Sequence, residues 1–198
     1  MIEPTDWISS IISESKKNGS LRLCIDPKPL NKALKRARYP LPVIDDVLAE
    51  LQKARIFSIL GAKNGFWHAE LDDQSIMLTT MATPFGQYRW QRQFRILPAP
   101  ELFQRKLDGN LAQLEGVKAI ADNILVYGEG ETDTEAGQNH DERIIALLER
   151  AQETGMKFNK EKFKYRLREV PYFGHKLTSR GLEVAEEKVK AINQMATP

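Results

Sequence analysis

A carboxylate set between two short aliphatic runs stands out in residues 120–126, Ile120-Ala121-Asp122-Asn123-Ile124-Leu125-Val126. The runs read as the strands of a hairpin, with the polar pair at its tip. Asp122 held there, beside buried strands, is poorly solvated, and a bound cation would stabilise its charge. The competing reading is a plain Asp122-Asn123 turn, because both residue types tolerate positive φ. Taken alone, the turn is the commoner use of such a pair.

A second pattern with chemical meaning lies downstream. Lys160, Lys162, Lys164, Arg166 and Arg168 occupy alternate positions, with Phe163, Tyr165 and Leu167 between them. On a strand this spacing places the cations on one face, suited either to a polyanion or to a solvated edge. Lys32, Lys35, Arg36 and Arg38 form another basic cluster. The other patterns point away from chemistry. His68, His140 and His175 are too scattered for a zinc site, and Cys24 reads as a small apolar strand residue rather than a nucleophile. Gly61, Gly65 and Gly86 make no nucleotide fingerprint, and no Ser/His/Asp hydrolase signature is present.

The elements that must position these residues alternate between hairpins and separate helices, which favours an α+β fold. Lys17-Asn18-Gly19 reads as a hairpin turn leading into a strand over 21–25. Ile44, Val47, Leu48 and Leu51 have helical spacing up to about residue 54, and 56–60 reads as a buried strand. Residues 67–71 and 76–81 read as strands, with extended character again over 88–94. A helix is expected from about 98–101, turning Leu102, Phe103, Leu107 and Leu111 inward. Residues 128–137 read as an acidic loop. The next helix runs from 139 or 140 to 154, with Ile144, Ile145, Leu147, Leu148 and Ala151 as its apolar stripe and Gly155 closing it. A strand over 172–177 and a helix over 185–195 complete the order.

The 198 residues suit one sizeable domain or two small lobes, and 41% hydrophobic with 28% charged residues is ordinary for a globular chain. A net charge of +2 does not by itself announce a nucleic-acid binder. No apolar run reaches the roughly 20 residues of a membrane span, and the N-terminus lacks a secretory pattern, so no membrane partner is expected. With one cysteine, intracellular residence is the expectation.

Several blocks in order resemble the reverse transcriptase domain of gypsy-type LTR retrotransposon polyproteins. They include residues 3–7, residues 21–32, Tyr39-Pro40-Leu41-Pro42, residues 62–68, Thr83-Pro84-Phe85-Gly86, residues 99–104, residues 159–163 and Phe173-Gly174-His175. The resemblance covers essentially the whole chain. It implies a right-hand polymerase with a ferredoxin-like palm: fingers over about 1–55 and 74–98, palm over about 56–73 and 99–198. The thumb and RNase H parts are expected beyond Pro198. It implies RNA-directed DNA synthesis on an RNA or DNA primer–template with Mg2+ as cofactor; protein partners are not indicated. Arg22 matches the arginine that grips the incoming triphosphate, Phe66 the aromatic gate against a ribose 2′-hydroxyl, and Phe173, Gly174 and His175 the segment that grips the primer. On the residues alone, Arg22 reads equally as a strand-face cation, Phe66 as core, and 173–175 as an ordinary strand.

Three aspartates carry the metals in the family, and the matching positions here are Gly61, Asp122 and Asn123. Glycine offers no ligand and asparagine no charge, so Mg2+ binding and catalysis are expected to be impaired. Arg95 stands where the resemblance places a close-approach glycine of the nucleotide pocket, which counts against deoxynucleotide binding. A non-catalytic nucleic-acid- or partner-binding domain on the same scaffold is the alternative to an impaired polymerase.

Overall fold

The apolar run of strand β3 (Ala54–Ala62) lies at the centre of the architecture, with every residue except the half-buried Arg55 buried. The computed structural model describes residues 5–15, 19, 21–26, 28–35, 38–48, 50–63, 70–91, 96–172 and 175–184. The chain divides into two compact units, one of Met1–Pro40 and Asn64–Lys106, the other of Leu41–Lys63 and Leu107–Pro198.

In the first unit, β1 (Ile11–Ser15) and β2 (Leu21–Ile25) form an antiparallel hairpin, followed by helix α1 (Lys28–Ala33). Of the expected turn, Lys17 and Asn18 lie outside the described residues, while Gly19 takes φ +77°. Of residues 76–81, expected as a strand, 76–78 instead end helix α3 (Asp73–Leu78), while Thr80 and Met81 do open the strand that follows. Asp72 caps it by accepting a hydrogen bond from the Ser75 backbone N–H at 2.8 Å, and Asp73 adds charge to the first turn. That cap outweighs the strand-like Ile76-Met77-Leu78 run. Strands β4 (Thr80–Thr83) and β5 (Gly86–Arg89) form a second hairpin, tied to the first by the bridge Ser9–Met81. Ile25, Leu30, Ile96 and Ala99 form the core of this unit. Residues 67–69 and 92–94, also expected to be extended, lie outside the described residues.

The second unit holds α2 (Ile44–Leu48), β3, β6 (Val117–Ile120), β7 (Asn123–Glu129), α5 (Asp133–Thr154) and β8 (Phe158–Leu167). Helix α4 (Ala99–Leu111) runs from the first unit into it, with Phe103, Leu107 and Leu111 buried. The sheet order is β6-β7-β3-β8, all antiparallel neighbours. With β3, α4, β6, β7, α5 and β8 in sequence this is the βαββαβ order of a ferredoxin-like fold. One face packs α5; the other buries Phe57, Ile59, Leu125 and Tyr127 with Val47, Leu51, Val170, Tyr172 and Leu177. Burial on both faces explains why β3 and β7 read as apolar runs without alternation.

Three boundaries differ from the sequence reading. Helix α2 ends at Leu48, well before residue 54. The supposed loop over 128–137 is the end of β7 and the first turn of α5, which begins at a capping box between Thr132 and Glu135 and ends at Gly155 with φ +68°. Of the expected stripe on α5, Ile144, Leu147 and Ala151 are buried but Ile145 and Leu148 are exposed. The expected strand over 172–177 is two strands, β9 (Glu169–Tyr172) and β10 (His175–Thr178), since Tyr172 pairs antiparallel with His175. Strand β11 (Gly181–Val184) completes that three-stranded sheet, and residues 185–195 lie outside the described residues. Among the described residues no helix is long and apolar enough to cross a membrane.

Candidate functional site

Ile120 pairs with Asn123 across the β6–β7 hairpin, so the two-residue turn is Ala121-Asp122 rather than Asp122-Asn123. Asn123 is the first residue of β7. Ala121 takes φ +53°, a left-handed conformation unusual for a residue with a Cβ. On the neighbouring strand Gly61 pairs with Asn123 on one side and with Asn159 of β8 on the other. The Ala62 N–H donates to the Asp122 carbonyl at 2.7 Å. Gly61, Asp122 and Asn123, separate in sequence, therefore meet at one corner of the sheet.

The corner holds one carboxylate, and its two oxygens face protein donors. Lys162 Nζ donates to Asp122 Oδ2 at 3.0 Å, and Asn123 Nδ2 donates to Oδ1 at 3.4 Å. Both members of the Lys162–Asp122 pair are about half exposed. The lysine stem crosses over Gly61: a Cβ there would lie 2.6 Å from Lys162 Cδ. A magnesium pair needs several oxygen anions, and this donor set supplies one, already neutralised. Among the described residues no three His, Cys, Asp or Glu side chains group closely enough to hold a metal ion. The residues present do not fit the magnesium implied by the resemblance.

A second constellation lies further along the same strands. Ser58 on β3 and His140 on α5 are wholly buried, with Ser58 Oγ 2.8 Å from His140 Nε2. His140 Nδ1 lies 3.1 Å from Asp141 Oδ1. Ser58 Oγ accepts the Arg166 backbone N–H at 2.9 Å, leaving its own proton for Nε2 and the Nδ1 proton for Asp141. Burial holds the His140 pKa below its ordinary value, against the pull of Asp141, which favours this neutral tautomer. Burial pushes the Asp141 carboxyl up, but hydrogen bonds from His140 and Tyr165 and the charge of Arg166 outweigh it and hold the pKa low. Serine, histidine and aspartate are thus linked in the order of a hydrolase triad, which sequence reading missed because Ser58 and His140 lie 82 residues apart. No substrate reaches a hydroxyl with no exposed surface, so the network is a brace between β3, α5 and β8.

That brace also corrects the expected cationic face. Arg166 takes φ +52° and the β3–β8 register shifts twice, so alternation fails. Tyr165 and Arg166, adjacent in sequence, both reach Asp141, at 2.9 and 3.0 Å. Arg168 pairs with Asp133 and Lys162 with Asp122, which leaves Lys160 and Lys164 without a carboxylate at ion-pair distance among the described residues.

Arg22 sits on β2 opposite Glu14 in the first unit. Phe66, Arg95, Phe173 and Gly174 fall outside the described residues. His175 opens β10, and its Nδ1 is buried without a hydrogen-bond partner among the described residues.

Comparison with known proteins agrees with this architecture. The family described as "Reverse transcriptase (RNA-dependent DNA polymerase)" matches residues 14–177. The chain is 32% identical over 193 residues to the retrovirus-related Pol polyprotein from transposon 412 of Drosophila melanogaster, covering 96% of the chain and 15% of that protein. It is 30% identical over 198 residues to the corresponding polyprotein from transposon gypsy of the same organism, covering 98% of the chain and 19% of that protein. The chain therefore spans less than a fifth of these relatives. Among solved structures, the foamy viral protease-reverse transcriptase in complex with double-stranded DNA superposes with a TM-score of 0.85 at 21% identity, over 100% of this chain and 34% of that one. The same viral protein in complex with an RNA/DNA hybrid gives 0.82 at 20% identity, over 99% of this chain and 26% of that one. The fold is the α+β fingers-and-palm fold of these polymerases, and the chain belongs to the reverse transcriptase (RNA-dependent DNA polymerase) family.

Proposed function

We propose that this chain is a reverse transcriptase domain of retrotransposon origin whose nucleotidyl-transfer centre no longer works. One observation carries the reading: Gly61, Asp122 and Asn123 meet at the corner of the palm sheet and supply a single carboxylate. Each charge-assisted bond to a metal that is missing there is worth about 1.5–3 kcal/mol, and the family chemistry rests on such electrostatic terms. The test is primer extension on an RNA template, with magnesium and then manganese, against an active reverse transcriptase as standard. Extension at the background level is the expected result, and robust extension by the unaltered chain would sink the reading.

Nucleic-acid binding without synthesis is the second reading, and it comes from the neighbours rather than from the corner. The superposing viral proteins are described in complex with DNA or an RNA/DNA hybrid, and Lys160 and Lys164 remain free of acidic partners among the described residues. Binding to a primer–template duplex should weaken steeply with salt. No detectable binding at low salt would end this idea.

A further inference from the structure

We propose that this chain pairs with a second copy of itself through the seam between helix α5 and strand β8, about a two-fold axis that runs along the helix. The sheet order β6-β7-β3-β8 puts β8 at an edge, with β3 as its one strand neighbour among the described residues. Tyr165 of that strand reaches Asp141 of α5 at 2.9 Å, and its ring lies 5.8 Å from that of Phe163. Asp141, Ile145 and Leu148 succeed one another at helical spacing, so they lie along the side of α5 next to β8. Ile145, Leu148, Phe163 and Tyr165 are all exposed. Apolar side chains exposed singly are ordinary, whereas four along one seam form an interaction surface.

The charges on its two flanks point to the occupant. Round α5 from the seam, away from β8, come the exposed Glu142 and Glu149; on the other flank β8 carries the exposed Lys160 and Lys164. None of the four has an opposite charge at ion-pair distance among the described residues. Strand β3 sets their heights. It runs in the direction of α5, because β8 turns back after the helix and pairs antiparallel with β3. Ser58 meets His140, Ile59 pairs with Lys164, and Gly61 pairs with Asn159. A strand rises about 3.3 Å per residue and a helix about 1.5 Å, so Lys164 sits near the height of Glu142 and Lys160 near that of Glu149. A two-fold axis along the seam keeps heights and exchanges flanks. Each copy's Glu142 and Glu149 then come over the other's Lys164 and Lys160, while the two apolar seams meet. An axis across the seam would instead set like charges together. The surface is thus complementary to itself in one orientation, as an isologous interface requires.

Sedimentation equilibrium of the full chain, at concentrations up to about 200 μM, tests this without any polymerase activity. The native chain should form dimers, and Leu148→Lys should raise the dimer Kd about tenfold or more. Glu149→Lys and Lys160→Glu should each raise it as well, because each sets like charges together. The two changes in one chain should bring the Kd back to within about threefold of native. All three positions are exposed, so the core is untouched, and an unchanged urea midpoint verifies the fold of each variant. A native chain that stays monomeric throughout would overturn the proposal. So would a double variant that associates no better than either single one. Duplex DNA tests the other occupant: if Lys160→Glu abolished DNA binding but left self-association at the native level, the lysine flank would belong to nucleic acid and the proposal would fall.

Discussion

The Asp122 corner and the Ser58–His140–Asp141 brace share strands β3 and β8 yet are built in opposite ways. The brace has the residue types and hydrogen-bond order of a nucleophilic centre, but no surface. The corner has the surface and the position, but a lysine neutralises its charge. Residue identity, accessibility and uncompensated charge are separate requirements, and each region lacks a different one. The energetics differ accordingly. Removing a partner from the buried network strands polar atoms where water cannot reach, whereas breaking the exposed pair hands both charges back to solvent.

The contrast can be broken most forcefully at the glycines. Gly128 of β7 faces the Ala136 carbonyl and His140, so a side chain there collides with the backbone of α5. Gly128→Val should destabilise the chain by about 3 kcal/mol in urea denaturation. A neutral outcome would show that α5 does not press on β7 at this point. Next in size is Ser58→Ala, which leaves His140 Nε2 and the Arg166 N–H without partners, for a loss of about 2 kcal/mol. If it cost no more than an exposed substitution, the brace would not be structural.

Acidification should act on the brace as well. His140 keeps its proton off below the ordinary value of 6.5, because burial disfavours the imidazolium. The unfolded chain therefore binds more protons than the folded one as pH falls, and the stability present above about 6.5 is lost through the window just below it. The urea midpoint should drop between about pH 7 and pH 5, and His140→Gln should flatten that slope. An unchanged slope would place the titration elsewhere. The smallest effect belongs to the corner: Asp122→Asn should change stability by less than about 1 kcal/mol, because the ion pair it breaks is half exposed. A loss as large as that of Ser58→Ala would erase the distinction between the two regions.

Much of the palm was legible because β3 and β7 are buried on both faces and so read as continuous apolar runs. The three corner positions could be aligned through the family resemblance. The misreadings have local causes. Thr132 and Glu135 carry a capping box that marks the true start of α5, but the acidic residues around them read as loop. Ile76-Met77-Leu78 reads as a strand unless the Asp72 cap is weighed first. The turn was misplaced by one residue because Ala121, not an Asx residue, takes the positive φ. Neither the brace nor the lysine pair was legible, since the partners lie 82 and 40 residues apart and meet only through a strand whose bulges defeat the period-two rule.

Those bulges have a consequence for exchange with solvent. Along β3 the step from Ile59 to Gly61 is two residues, while the paired step on β8, from Lys164 to Asn159, is five. The surplus residues of β8 lie between two ladder partners, and Lys162 is among them. Its amide and those beside it should trade hydrogen for deuterium well before the amide of Arg166, which is pinned to Ser58. The side chain that neutralises Asp122 is thus carried between the ladder partners of β8 and not on one of them.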